Sequence, residues 1–210
     1  MMARRSKDEA EETRENIINA AIRLFLRDGV SRTTLEKIAA EAGYTRGAVY
    51  HHFENKSKLL YELHRMIKPP AEELSCKFSR FDSDDPLKDV EDSILCALDE
   101  MMSDPRRRDI DAIFFHNCEF VDRVNPIVES ERTHLSTVSD MIKEAFQRAL
   151  EKGLIRSDID IDNLARSLLC YCYGIFAMAA RQRLSGDDLW LQDYRSSFRV
   201  IFDGLRHGAA

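Results

Sequence analysis

Residues 43 to 53 read GYTRGAVYHHF, a run that puts Thr45, Arg46, Tyr50, His51 and His52 around the small Gly47 and Ala48. Threonine, arginine, tyrosine and histidine can all donate hydrogen bonds to electron-rich acceptors, and the small residues let a second surface come close. An arginine at the start of a short helix can give parallel hydrogen bonds to O6 and N7 of a guanine, a contact worth about 1–3 kcal/mol in discrimination. Ala48 could lie against a thymine methyl, and Gly47 lets the backbone approach. The chemistry suggested is recognition in a nucleic-acid groove, yet the chain has a formal net charge of -6.

Splitting the charge at Pro69-Pro70 removes the conflict. Residues 1–68 carry 13 Lys/Arg and 10 Asp/Glu, net +3, which leaves 18 and 27, net -9, for residues 69–210. Attraction to phosphate acts over a Debye length of about 8 Å, so the surface facing the polyanion matters more than the sum over the chain. An acidic body can therefore carry a basic head.

The elements that must position the run are all helical. Gly and Pro are sparse, at 8 and 5 of 210 residues, and no segment alternates apolar and polar residues as a half-buried strand would. The spacing predicts an all-α chain of about nine helices. Ser6-Lys7-Asp8-Glu9 has the form of a capping box, and Ile18, Ala21 and Phe25 make an apolar stripe that ends at Gly29. A second capping box, Thr33-Thr34-Leu35-Glu36, opens TLEKIAAEA, with the Thr33 hydroxyl taking a free amide and Glu36 reaching back.

Gly43 stands where a helix ends with positive φ, and Thr45 is a good N-cap for RGAVYHH two residues later. Two short helices joined by a tight Gly-containing turn make a helix-turn-helix at about 34–53. Ala39 and Ala42 are small where these helices cross, and Ile38, Val49 and Phe53 should share a core with Phe25. A helix from Lys58 to Ile67 should end at Pro69-Pro70, the candidate hinge between a head of residues 1–68 and a body of residues 69–210. Asp85-Pro86 and Asp104-Pro105 mark helices near 86–103 and 105–122, a long helix runs from about Pro126 to Gly153, and two more cover 161–184 and 188–206.

Several classes of function find no support. No stretch reaches the roughly 18 apolar residues of a membrane span, and the N-terminus lacks the apolar core of a signal peptide, so a cytoplasmic protein is expected. The chain shows no nucleophile elbow, phosphate-cradling glycine loop or zinc-hydrolase motif, so neither an enzyme nor a cofactor is expected. His51 and His52 are about 100° apart on a helix and make a poor metal pair. The five cysteines include no C-x-x-C. Cys170 and Cys172 sit about 200° apart around a helix, which favours burial over a redox switch.

The run ETRENIINAAIRLFLRDGVSRTTLEKIAAEAGYTRGAVYHHFENKSKLL, and within it TRGAVYHHFENKSKLL, resembles the TetR family of transcriptional regulators, most closely its AcrR-like multidrug-efflux repressors. RRRDIDAIFFHNCEFV resembles a segment of the ligand-binding body of that branch. The resemblance implies a sequence-specific repressor that binds double-stranded operator DNA and leaves it when a small apolar or amphipathic ligand enters the body. It also implies that Tyr50, His51, His52 and Lys56, with Thr33 and Thr34, contact the sugar-phosphate backbone. Two positions depart from the branch: His51 stands where Trp is usual, and Glu54 where Lys is common.

In the body, Met101, Phe114, Phe115, Cys118, Tyr171, Tyr173 and Phe176 are adaptable or aromatic, with Asp111, His116 and Asn117 as polar groups in the same region. Taken singly these read as core, and it is the resemblance that implies a ligand pocket lined by Met101, Asp111, Phe114, Phe115, Cys118, Tyr171, Tyr173 and Phe176. If Asp111 with Glu100 or Glu119 lines it, a cationic amphiphile is the natural ligand. One helix-turn-helix reads one half-site, so a homodimer is expected. The resemblance places its contact in helices 161–184 and 188–206 as a four-helix bundle. Control of a catabolic or stress operon is the alternative to control of an efflux transporter.

Overall fold

The computed structural model describes residues 2–67, 83–117, 126–185 and 193–206, with the side chains of residues 2–7, 117 and 182–185 outside the description. The described residues form nine α-helices and one π-helical turn, with no strand. The head holds α1 (Met2–Asp28), α2 (Leu35–Ala42), α3 (Arg46–His52) and α4 (Lys56–Ile67). The body holds α5 (Pro86–Ser103), α6 (Pro105–Ala112) with its π-turn (Ile113–Asn117), α7 (Pro126–Glu151), α8 (Ile161–Ser185) and α9 (Tyr194–Arg206).

Local chemistry explains most boundaries. Asp85 accepts a hydrogen bond from the Lys88 amide at 3.0 Å and Asp104 one from the Arg106 amide at 2.8 Å, so each Asp-Pro pair starts its helix as expected. Helix α4 begins two residues before the expected Lys58, because Asn55 takes the Lys58 amide on its side chain at 2.9 Å and the Leu59 amide on its carbonyl at 3.2 Å. Helix α1 starts at Met2, so Ser6 lies within it and is not its cap. Helix α6 was expected to run to 122, but its α-helical bonding changes to a π-turn after Ala112. Residues 118–122, 188–192 and the Pro69-Pro70 hinge lie outside the described residues.

The head core gathers Ile18, Ala21 and Phe25 of α1 with Ile38, Val49 and Phe53 and the inner face of α4. It continues into the body through Ile110, Ile113 and Ile127. Fully burying side chains of this size stabilises by about 1.5–3 kcal/mol each. Polar ties follow the same seam: Arg106 Nη2 is 2.7 Å from Glu15 of α1, and Arg107 Nη2 donates to the Ile67 carbonyl at 3.4 Å.

A second core joins Leu87 and Leu98 of α5, Phe146 of α7, Leu168 of α8 and Phe198 and Phe202 of α9. Arg206 holds the far end of α9 to Asp85 at 2.6 Å, and Tyr194 and Arg195 hold its near end to Asp99. A smaller third cluster packs Met101 against Ala112, Ala179 and Ala180, with Phe115 and Phe176 at its border.

Candidate reading surface and body cluster

Helices α2 and α3 are short, so their ends decide their placement. Gly43 has φ 75°, where a side chain would be strained, and the Tyr44 amide bonds back to the Ala39 carbonyl at 2.9 Å. Two residues on, Thr45 caps α3 by accepting the Ala48 amide at 3.2 Å. The turn is thus closed by a backbone bond at the α2 end and by a side-chain cap at the α3 end. Buried Val49 and Phe53 anchor α3 to the core and leave its other side, with Thr45, Arg46, Gly47, Tyr50 and His51, in solvent.

Arg46 is the first residue of α3, and its side chain is 67% exposed. Its Nε lies 3.1 Å from Glu36 Oε1, its Nη2 donates to the Tyr50 hydroxyl at 3.4 Å, and its guanidinium stands 5.1 Å from the centre of the Tyr50 ring. The Tyr50 hydroxyl in turn donates to the same Glu36 oxygen at 3.3 Å. Arg46 is held in its charged form by the Tyr50 hydroxyl and by Glu36. The Glu36 carboxyl lies below the usual range, owing first to its own backbone amide and the Thr34 hydroxyl and then to Arg46 and Tyr50.

One of the expected backbone contacts is corrected by burial. Thr33 is not the cap of α2 and does not face out: it is 0% exposed, and its hydroxyl donates to the Gly29 carbonyl at 2.8 Å. The cap is Thr34, which accepts the Lys37 amide at 3.3 Å and stays exposed. Lys56 is half-buried and donates to the carbonyls of Val30 at 2.8 Å and Thr33 at 3.0 Å. These bonds fasten the loop before α2.

His51 and His52 meet edge to face with ring centres 5.5 Å apart. Burial, then the charges of His51 and Arg14, push the His52 imidazole below its ordinary value. Gly47 has only Thr45 Oγ1, at 3.9 Å, near the place a Cβ would take, so its bareness keeps the outer surface flat. Ala48 is half-buried beside it.

The body residues expected to line one pocket separate into three environments. Met101, Phe115 and Phe176 belong to the cluster around Ala179 and Ala180. Phe115 also meets Tyr173 edge to face at 4.9 Å, while its neighbour Phe114 packs on the His64 ring of α4 at 5.4 Å. Consecutive side chains on a helix already stand about 100° apart, which is enough to send the two rings to different neighbours. Tyr171 does not join them: it packs on Phe198 of α9 at 5.2 Å, because two residues along a helix point to nearly opposite sides. Cys118 lies outside the described residues.

The charged groups of this region also differ from expectation. Asp111 is buried and 4.0 Å from Arg107, whereas Glu100 is paired to Arg107 at 3.1 Å on the exposed side, and Glu119 lies outside the described residues. The second inward carboxylate is Glu131 of α7, whose Oε1 is 2.7 Å from Nε2 of the fully buried His64. Burial, followed by the charges of Glu131 and Asp111, raises the Tyr173 hydroxyl above its ordinary value. Residues from α4, α6, α7 and α8 thus place two carboxylates, one beside Arg107 and one beside His64, near aromatic rings. His64 and Glu131 went unread in the sequence. His64 could have been found, because Leu60, Leu63, His64 and Ile67 share the helical spacing of an inner face.

Among the described residues no group of three or more His, Cys, Asp or Glu could hold a metal ion, and no helix is long and apolar enough to cross a membrane. Cys172 is buried, with its thiol pushed up to about 12 by desolvation, and Cys170 is exposed on the other side of α8. At neutral pH such a buried thiol carries almost no thiolate and is a poor nucleophile.

Comparison with known proteins agrees with this geometry. Residues 17–63 match the family described as bacterial regulatory proteins, tetR family, and residues 85–178 match the C-terminal region of MAATS-type transcriptional repressors. The HTH-type transcriptional regulator AcrR of Shigella flexneri is 33% identical over 174 residues, covering 83% of this chain and 81% of AcrR. NalD of Pseudomonas aeruginosa, a secondary repressor of the MexAB-OprM multidrug efflux pump, aligns with a TM-score of 0.77 at 31% identity, over 95% of this chain and 97% of NalD. SmeT, the Stenotrophomonas maltophilia repressor of the SmeDEF pump, solved as a triclosan complex, aligns with a TM-score of 0.69 at 30% identity, over 92% and 90%. These relatives are regulators and not enzymes, and such regulators bind operator DNA and usually dimerise. The reading surface on α2 and α3, the all-helical body and these likenesses place the chain in the tetR family of bacterial transcriptional regulators.

Proposed function

We propose that this chain is a homodimeric, cytoplasmic repressor of an efflux-transporter operon, released from its operator by a small apolar or amphipathic ligand in the body. The observation that carries the DNA-reading part is Arg46, solvent-exposed at the first turn of α3 and oriented by two neighbours. The N-terminal end of the second helix of such a motif is the end that enters the major groove. Arg46 reads a guanine, Ala48 and Gly47 allow close approach, and Thr34, Thr45, Tyr50, His51 and His52 fix register on phosphates and sugars. Lys56 acts one step back, by holding the loop that carries Thr34.

Dimerisation is assigned to the outer face of α8 and α9. Tyr171 and Met178 with Gly174 line one edge of α8, and Val200, 72% exposed, stands on α9. An apolar stripe of this kind on two packed helices is best covered by a second copy of itself. Two heads on one two-fold axis then meet two half-sites about one helical turn apart. NalD and SmeT repress multidrug efflux pumps, which supports the same target here.

A cationic ligand is supported by Asp111 and Glu131, which pair with Arg107 and His64 and whose charges both bear on Tyr173 beside Phe115. Aromatic faces and two carboxylates favour a flat or branched organic cation. Ligand binding lowers DNA affinity only by its preference for the body shape that does not hold the heads in register.

Arg46→Ala tests the DNA-reading assignment. It should weaken binding to a duplex selected from a random library by about 100-fold, while the melting temperature and dimer mass stay the same. Retained preference for that duplex would defeat the assignment. A quaternary ammonium amphiphile should release the wild-type protein from the duplex at concentrations where a neutral analogue of equal size does not. Asp111→Asn should narrow that gap by about tenfold.

A further inference from the structure

Glu36 has no part in the reading above, yet it stands on the DNA-facing side of α2 and touches the residue on which that reading depends. We propose that Glu36 is a specificity-determining positioning residue, which with Tyr50 holds the Arg46 guanidinium and leaves a pair of its donors to DNA. The proposal rests on Arg46 being the base-reading residue.

A guanidinium carries five N–H donors in a flat fork. Here Nε lies 3.1 Å from Glu36 Oε1 in an ion pair, and Nη2 donates to the Tyr50 hydroxyl at 3.4 Å. The ring of contacts closes when Tyr50 donates to the same Glu36 oxygen at 3.3 Å, and the plane is further oriented by the Tyr50 ring 5.1 Å away. The guanidinium is therefore drawn toward Glu36 by charge while Nη2 gives a hydrogen bond to Tyr50. Nη1 and the second proton of Nη2 remain as a pair of donors with the spacing of a guanine O6/N7 pair, on a side chain that is 67% exposed.

These contacts are exposed, and exposed ion pairs contribute little to folding. Their consequence is orientational. An unrestrained arginine loses much rotamer freedom on binding and can as easily grip a phosphate as a base. A tethered one loses less, but only at a sequence that puts a guanine before that pair of donors. The Glu36 carboxylate meanwhile repels every phosphate backbone alike. Together they lower affinity for all DNA and restore it at the correct site, which is discrimination through an unfavourable element.

The test uses the full chain and two probes: a duplex enriched from a random library by the wild-type protein, and a scrambled duplex of the same length and composition. Glu36→Gln should tighten the scrambled duplex about fivefold and change the enriched duplex by less than about twofold. The enriched-to-scrambled ratio then falls about fivefold. On the scrambled duplex the log–log salt dependence should steepen by about 1 as the freed Arg46 reaches a phosphate. In an Arg46→Ala background the same Glu36→Gln change should leave the ratio within about twofold, because the effect runs through Arg46. An unchanged ratio in the single variant, or an equal change in both backgrounds, overturns the proposal and leaves the Arg46 reading standing. If Arg46→Ala itself keeps the wild-type ratio, that reading falls and the proposal with it. Melting curves check that each variant is folded.

Discussion

On the proposed reading surface the side chains stand in water on two adjacent short helices, where Arg46 is held by Tyr50 one turn along α3 and by Glu36 of α2. In the body cluster they come from four helices and a π-turn, and most are buried. Arg46 with Glu36 and Tyr50 shows the first kind, while His64 with Glu131, Phe114 and Asp111 shows the second. The difference teaches that the head can change what it binds at little cost in folding. The body must rearrange packing to respond at all, which suits a sensor whose response is a change of shape.

The largest expected effect belongs to the body core. Phe198 of α9 is fully buried in the core it shares with α5, α7 and α8, so Phe198→Ala should cost about 3–5 kcal/mol in urea unfolding, and it should do so without first altering operator contacts. Arg46→Ala, by contrast, should change stability by less than about 0.5 kcal/mol. A comparable stability loss in both would break the comparison.

Two glycines of the head sharpen it on a smaller scale. Gly43→Ala puts a Cβ on a residue at φ 75° and should destabilise by about 1 kcal/mol, with DNA binding lost only in proportion. Gly47→Ala meets only an ordinary contact, Thr45 Oγ1 at 3.9 Å, so stability should hold within about 0.5 kcal/mol while affinity for the selected duplex falls. Thermal melts and anisotropy titrations of the pair separate a folding glycine from a docking one.

The smallest effect concerns pH. His52 titrates below its ordinary 6.5 because of burial and the charges of His51 and Arg14, with Glu11 acting weakly the other way. Its contribution to stability is therefore present above pH 6.5 and lost as the pH falls through the depressed value. A nearby phosphate reverses the shift, so binding takes up a proton. Affinity should rise about two- to threefold between pH 7 and pH 6, and His52→Asn should flatten that rise.

The head was legible because its signals are local. Gly43 and Thr45 stand two residues apart, and the apolar spacing of Ile38, Val49 and Phe53 names the buried side directly. The error at Thr33 shows the limit: two consecutive threonines both satisfy a capping pattern, and only the fold decides which hydroxyl turns inward to Gly29. Lys56 shows the same limit in another form, since its bonds to the carbonyls of a distant loop could not be read from its place in the signature.

Sequence alone determined the all-helical class, the helix-turn-helix, the opposed charges of head and body, and Arg46 as the residue at the tip, because each depends on neighbours within a turn or two of chain. Only the tertiary structure decided that Tyr171 and Tyr173 serve different sides of α8, that Phe114 and Phe115 part at a π-turn, and that His64 meets Glu131. It also decided that Glu36 holds Arg46. These pairings join residues far apart in the chain, or on different helices. Their distances are set by how the helices pack, a quantity that periodicity along one helix does not contain.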